Sequence, residues 1–307
     1  MMLSVLGKLF VIFALIAVGY AARRKEILDA HLQMGLSRIV LVIAMPALVL
    51  SSANVSYSQD RMNNILIVFG CAVVYYLLGI PFSHLIARAI KLDGDRKRVF
   101  VSLTVFANVG FLGYPIISIF LPETGVFYAV FFNIVFQLCI FTYGTSMMAR
   151  TKMQNPLKLL RDPNVLSAIL MVLLFVLRIK LPVPVQETLS VLGGLCTPLS
   201  MLVIGSMLAQ INLRELFTDT PLYVMSFLRL ILMPAVGILV LKLAGVSTEL
   251  ATVIAIMLAM PAATTTAIFG EQYNCDPLMC SKGIVLSTLF SLVTIPIIGF
   301  AIEWLFG

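Results

Sequence analysis

The chain has 307 residues, 61% of them hydrophobic and only 11% charged, with a formal net charge of +7. A soluble domain averages roughly 45–50% apolar and about 25% charged residues, so a water-soluble enzyme, a disordered chain, a coiled coil and a disulfide scaffold are excluded. The basic excess does not point to nucleic acid, because the charges sit in short clusters between apolar runs, as in the loops of a membrane protein.

Apolar segments fall at 4–22, 35–53, 64–88, 99–120, 124–149, 164–181, 189–210, 222–244, 248–270 and 283–306. A helix needs about 20 residues to cross the hydrocarbon core, and ten such helices use nearly the whole length. The expected fold class is therefore an all-α polytopic membrane protein. The first segment is not read as a cleaved signal peptide, since Arg23, Arg24 and Lys25 follow its apolar run instead of preceding it. The loops after the odd-numbered segments, with the adjoining helix ends, carry fifteen Lys and Arg against five on the other side. That bias puts the first side in the cytoplasm and both termini outside.

The two halves rhyme. The second and seventh segments carry Pro46 and Pro198, and the fourth and ninth carry Pro115 and Pro261. Five helices per half is an odd number, so the halves enter the membrane in opposite senses. Matching interruptions in inverted halves are a transporter pattern with a binding site at mid-membrane. The expected organisation is a first five-helix repeat at 1–149, a short cytoplasmic linker at 150–163 and a second repeat at 164–307.

Residues 108–115 read NVGFLGYP, poor material for a continuous helix, because glycine is costly there and proline removes a donor and clashes with the preceding turn. Residues 258–266 read LAMPAATTT, small and hydroxylated after the proline. Where such segments unwind, the N-terminal ends of the following half-helices offer amides and partial positive charge, which suits a carboxylate. Asn108 can donate to an anion from within the interruption. Gly113, Pro115, Pro261, Ala262, Thr264 and Thr265 frame the same candidate substrate site. Asn133 and Gln137 lie four apart on one helix face, as cavity lining or as interhelical glue. Arg229 is the basic residue set within an apolar run; substrate attraction and helix-end anchoring both fit it. No Asp or Glu lies clearly inside a span, although Glu271 ends the ninth segment as a candidate proton carrier. His31 and His84 read as interfacial. Cys71, Cys139, Cys196, Cys275 and Cys280 read as free thiols, and no catalytic triad, phosphate loop or metal-ligand motif is present. The chain is not expected to be an enzyme or to carry a cofactor or metal.

These residues resemble the auxin efflux carrier family, the plant PIN carriers and their short bacterial relatives. The likeness runs through Ser37-Arg38 to Pro46, Asn108 to Pro115, Leu160-Arg161-Asp162-Pro163-Asn164, Arg229 to Val236, and Pro261 to Asn274. It implies ten helices in two inverted repeats, with the fourth and ninth broken and crossing at Pro115 and Pro261. It also implies a scaffold from the first, second, sixth and seventh helices, a transport domain from the rest that moves as an elevator, and a homodimer. Asn108 matches the family asparagine that contacts a substrate carboxylate. Residues 150–163 stand where the plant carriers have a long regulatory loop, and Ala262 with Thr264–Thr266 departs from the plant pattern. Both departures suit bacterial carriers of small organic acids such as malate or malonate better than indole-acetate.

The leading expectation is a secondary transporter of a small organic anion, embedded in lipid in a bacterial inner membrane, with proton or sodium coupling open. The rivals are a sodium symporter of the bile-acid type, whose cation would sit on freed carbonyls and Thr264–Thr266, a membrane anion sensor, an anion channel and, remotely, an intramembrane enzyme. None of these has nucleic acid as a partner.

Overall fold

The computed structural model describes residues 2–151, 160–210, 216 and 219–306, with side chains from residue 7 onward. The central part of the expected linker, with Lys152 and Lys158, and also Arg214, lies outside the described residues. Among the described residues every regular element is helical. The helices are α1 (Met2–Arg24), α2 (Ala30–Asn54), α3 (Gln59–Ala89), α4 (Gly94–Val105), α5 (Val109–Phe120) and α6 (Gly125–Ala149). They continue with α7 (Pro163–Val176), α8 (Val183–Leu208), α9 (Thr220–Leu243), α10 (Thr248–Ala259), α11 (Thr265–Gln272) and α12 (Pro277–Phe306).

Six of these, α2, α3, α6, α8, α9 and α12, are long and apolar enough to cross a membrane. Their apolar side chains are not confined to an inward stripe. Leu77 and Leu78 of α3 and Val293, Ile297 and Trp304 of α12 are all more than half exposed. A helix that is apolar all round belongs in lipid, where its own backbone bonds satisfy every N–H and C=O. The fold is that of an all-helical polytopic membrane protein.

The fourth and ninth apolar segments are each two helices: α4 with α5, and α10 with α11. Elsewhere, π-helical turns interrupt the ladders at Val40–Ala44, Val109–Gly113, Ile140–Gly144 and Leu228–Leu232. Three of the four lie immediately before a proline-bearing turn, ahead of Pro46, Pro115 and Pro234. A proline inside a helix withdraws one N–H and pushes its ring at the carbonyl four residues back. Widening the preceding turn relieves that conflict without stopping the helix.

The chain clusters into two compact units. One comprises Met1–Val68, Gly110–Ile134 and Lys158–Gln210; the other comprises Phe69–Val109, Val135–Leu157 and Ile211–Gly307. In the first unit α1 packs on α8 with backbones in contact: a Cβ on Gly205 would fall 2.7 Å from the Tyr20 nitrogen. Small residues let membrane helices approach this closely, since lipid removes the usual hydrophobic drive and dispersion must hold the pair. Gln33 of α2 accepts from Ser206 of α8 and from Gln210 just beyond its end, each at 2.6 Å. Tyr57, Phe127 and Phe175 form an aromatic cluster, with the Arg178 guanidinium 4.5 Å from the Tyr57 ring centre.

In the second unit α12 packs along α10, α9 and α4. Its charged end carries an ion-pair cluster in which Asp95 bonds Arg98 at 2.5 Å and also bonds Arg150, while Arg96 bonds Asp219 at 2.5 Å. The hydrogen bond from Arg150, more than any other contact, holds the Asp95 carboxyl below the usual carboxylate range. Nearby, burial pushes the Cys275 thiol up to about 11, so it is an inert packing group.

Candidate functional site

The second unit contains the two chain breaks that precede α5 and α11. α10 stops because Pro261 forces the residue before it out of the helical region: Met260 has φ −66° and ψ 143°. α4 stops without a proline. Phe106 turns extended, with ψ 112°, and the chain pairs with the proline-led segment. Ala107 and Ala262 form an isolated antiparallel bridge, in which Asn108 N donates to Pro261 O at 2.8 Å and Ala263 N to Phe106 O at 2.9 Å.

Pro115 is therefore not where the first interruption lies, and Gly113 does not begin the following helix. The break is at residues 106–108, and α5 starts at Val109 with the π turn that accommodates Pro115. The physical reason is that one proline suffices: Pro261 opens one strand, and the other opens by bonding to it. Gly113, Pro115 and Asn133 belong to the first unit, whereas Asn108, Gln137, Arg229, Pro261, Ala262, Thr264 and Thr265 belong to the second.

Helices that end inside a membrane leave carbonyls without partners, each a serious penalty in lipid. Here one side chain serves them. Arg229, on the π turn of α9, is 0% exposed. Its Nε donates to Met260 O at 2.8 Å, and Nη2 donates to Leu258 O at 3.0 Å. Nη1 donates to Thr104 O at 3.2 Å, to Val105 O at 3.1 Å and also to Tyr75 Oη. The Tyr75 hydroxyl in turn donates to Val105 O at 2.8 Å. The guanidinium thus caps the C-terminal ends of both α4 and α10. This capping of two other helices differs from both roles read from the sequence, substrate attraction and anchoring or snorkelling of its own helix end.

The other side of the breaks is differently furnished. Asn108 is 5% exposed, and no hydrogen bond ties its side chain to another group among the described residues. Its amide atoms are not among the fully enclosed polar atoms, so they stay accessible to water or a ligand. Pro261 and Ala262 are buried, and Thr264 and Thr265 at the start of α11 are partly exposed. Thr266 is different: it is buried and shares a 3.1 Å hydrogen bond with Ser102 of α4, so it belongs to packing. Ser287 of α12 supports the break by accepting from Ala262 N at 3.2 Å. Gln137 is half-buried on α6.

In the first unit, Asn133 is 6% exposed; its Oδ1 and the Tyr114 Oη are enclosed and lack partners of normal geometry. Tyr114, Tyr75 and Ser287 were not read from the sequence. Tyr114 follows Gly113 within the quoted motif and could have been singled out as a polar group in an apolar run. Tyr75 and Ser287 carry no such signal, since their partners are backbone groups. Among the described residues no group of His, Cys, Asp and Glu is placed to hold a metal ion.

Comparison with known proteins agrees with this architecture. The family described as membrane transport protein matches residues 4–155 and 147–299. An uncharacterized transporter of Methanocaldococcus jannaschii is 27% identical over 304 residues, covering 94% of this chain and 96% of the relative. An uncharacterized transporter of Methanothermobacter thermautotrophicus is 27% identical over 295 residues, covering 93% and 94%. A protein of Rhizobium meliloti named "Putative malonate transporter" is 22% identical over 306 residues, covering 96% and 94%. An all-helical chain with two paired helix breaks and full-length likeness to transporters belongs to the membrane transport protein family, the auxin efflux carrier-like family that its sequence motifs resemble.

Proposed function

We propose that the chain is a secondary transporter of a small organic anion, carrying a carboxylate by elevator-type alternating access in a bacterial inner membrane. The observation that carries this reading is the division of labour at the breaks. The carbonyl ends of α4 and α10 are capped by Arg229, whereas Asn108 and the threonine-led start of α11 are left for a ligand. Amides and a positive helix end attract an anion. Neutral donors hold it loosely enough to release, which transport requires.

The same proposal takes the ten segments as two inverted five-helix repeats, with a scaffold from the first, second, sixth and seventh segments and a moving part from the rest. The interruption of both the fourth and the ninth segments supports the first point. The discontinuous chain make-up of the units, each drawn from both halves, supports the second. The charge bias supports placing both termini outside. Gln137, on the second unit with Asn108, stays a candidate for substrate contact. The relative named for malonate makes dicarboxylates the first substrates to try.

A thermal-shift screen of the purified protein against malonate, malate, monocarboxylates and indole-3-acetate tests the reading. A ligand at a hundredfold excess over its Kd stabilises the folded state by about 2.7 kcal/mol. The expected result is a rise in Tm with one class of acid that disappears in Asn108→Ala. A rise of equal size in that variant would move the site away from the breaks.

A further inference from the structure

We infer that Arg229 is a tethered substitute for a bound metal cation: its guanidinium stands where a broken-helix transporter would bind one, so sodium is not needed at this position. The inference rests on the transporter reading for its meaning, but its geometry stands without it.

In broken-helix transporters, half-helix C-terminal ends and unwound carbonyls are the groups that coordinate sodium. Here those groups are the carbonyls of Thr104, Val105, Leu258 and Met260, and one guanidinium meets all four. The neighbouring carbonyls of Phe106 and Pro261 are taken by Ala263 N and Asn108 N. A metal ion at these carbonyls would have to share them with the positive charge of the guanidinium.

The charge balance points the same way. A buried cation needs compensation, yet no ion pair joins Arg229 to a carboxylate among the described residues. Its counter-charge is supplied by two helix C-termini, each worth roughly −0.5 elementary charge, so the pair comes to about −1. The charge is covalently tethered to α9, so this cation does not leave the site. Planarity matters too: the guanidinium fork reaches carbonyls of two helices and a tyrosine hydroxyl at once, which a lysine ammonium with three donors cannot reproduce. A transporter built this way moves its anion without a metal cation at the breaks.

The test measures Tm and malonate uptake of the wild type in sodium, potassium and N-methyl-glucamine chlorides at equal ionic strength. The expected result is the same Tm and the same uptake in all three. A Tm or uptake that rises with sodium alone overturns the inference. Arg229→Ala should lower Tm, on the order of 5 °C or more from the orphaned carbonyls, and low concentrations of methylguanidinium should recover part of the loss. A variant that melts like wild type and ignores methylguanidinium would refute it. Should Arg229→Ala not fold, Arg229→Lys and the wild-type ion comparison remain, and a lysine variant with wild-type Tm would count against the fork geometry. Because Tm is read without substrate, failure of the organic-anion reading leaves this result intact. Conversely, a sodium-dependent wild type would leave the Asn108 result standing.

Discussion

Arg229 and Asn108 occupy the same pair of breaks and divide the work there. Both were legible as unusual residues: a charge seven positions into an apolar run, and an amide between glycines and small residues. What each bonds to was not legible, because the partners of Arg229 are main-chain carbonyls brought from two other helices. Any residue types at 104, 105, 258 and 260 would supply the same oxygens. Carbonyl partners leave no mark on sequence, which is why capping of two other helices is not among the roles the sequence suggests for Arg229. At this scale the account expects Asn108→Ala to lower the affinity for the transported acid at least tenfold while Tm without ligand stays near wild type. Isothermal titration of purified protein checks it, and an unchanged Kd would show that the amide faces no substrate.

Among the elements, the six long apolar helices were visible from hydropathy alone, and the α10–α11 break was announced by Pro261. The α4–α5 break is legible only broadly, within the stretch from Ala107 to Pro115. Pro115 drew attention as the breaker, but a π turn absorbs it, and the chain opens instead at residues 106–108, where it pairs with the segment that Pro261 has already opened. A proline is a local signal, whereas bridge formation between residues 107 and 262 is a long-range one that no window of sequence contains. The closeness of α1 and α8 was equally hidden, since Gly19 and Gly205 are two unremarkable glycines until their helices meet. Gly205→Val would drive a side chain into the backbone of α1, which cannot yield as a side chain would. The expected loss is about 1–3 kcal/mol, typical of overpacking, read as a lower Tm in detergent. An unchanged melting curve would mean the two helices do not touch there.

For the molecule as a whole, composition and charge placement were enough for a polytopic membrane protein, and the ordered motifs were enough for the family. The two compact units were not legible from the linear order, because each gathers three separate stretches of chain. The second unit is tied at its charged end by Asp95, which bridges Arg98 and Arg150. Asp95 titrates lower in the folded chain than in the unfolded one. The stability it adds is therefore present above the ordinary carboxylate range and is lost as pH falls through its depressed value. Asp95→Asn should lower Tm slightly at neutral pH, as expected of an exposed pair, and the difference should shrink as pH falls below the ordinary carboxylate range. A difference that persists in acid would mean that the side chain acts through packing instead of charge.

The central claim is that this family fold, with its carbonyl ends capped and its amide ends open, moves an organic acid across the membrane. Counterflow in proteoliposomes tests it most directly: vesicles loaded with unlabelled malonate are diluted into labelled malonate without sodium, and accumulation is followed. The account predicts transient accumulation by the wild type, with the same course in sodium and in potassium, and none by Asn108→Ala. Accumulation by Asn108→Ala at the wild-type rate, or no accumulation with any mono- or dicarboxylate, would contradict it.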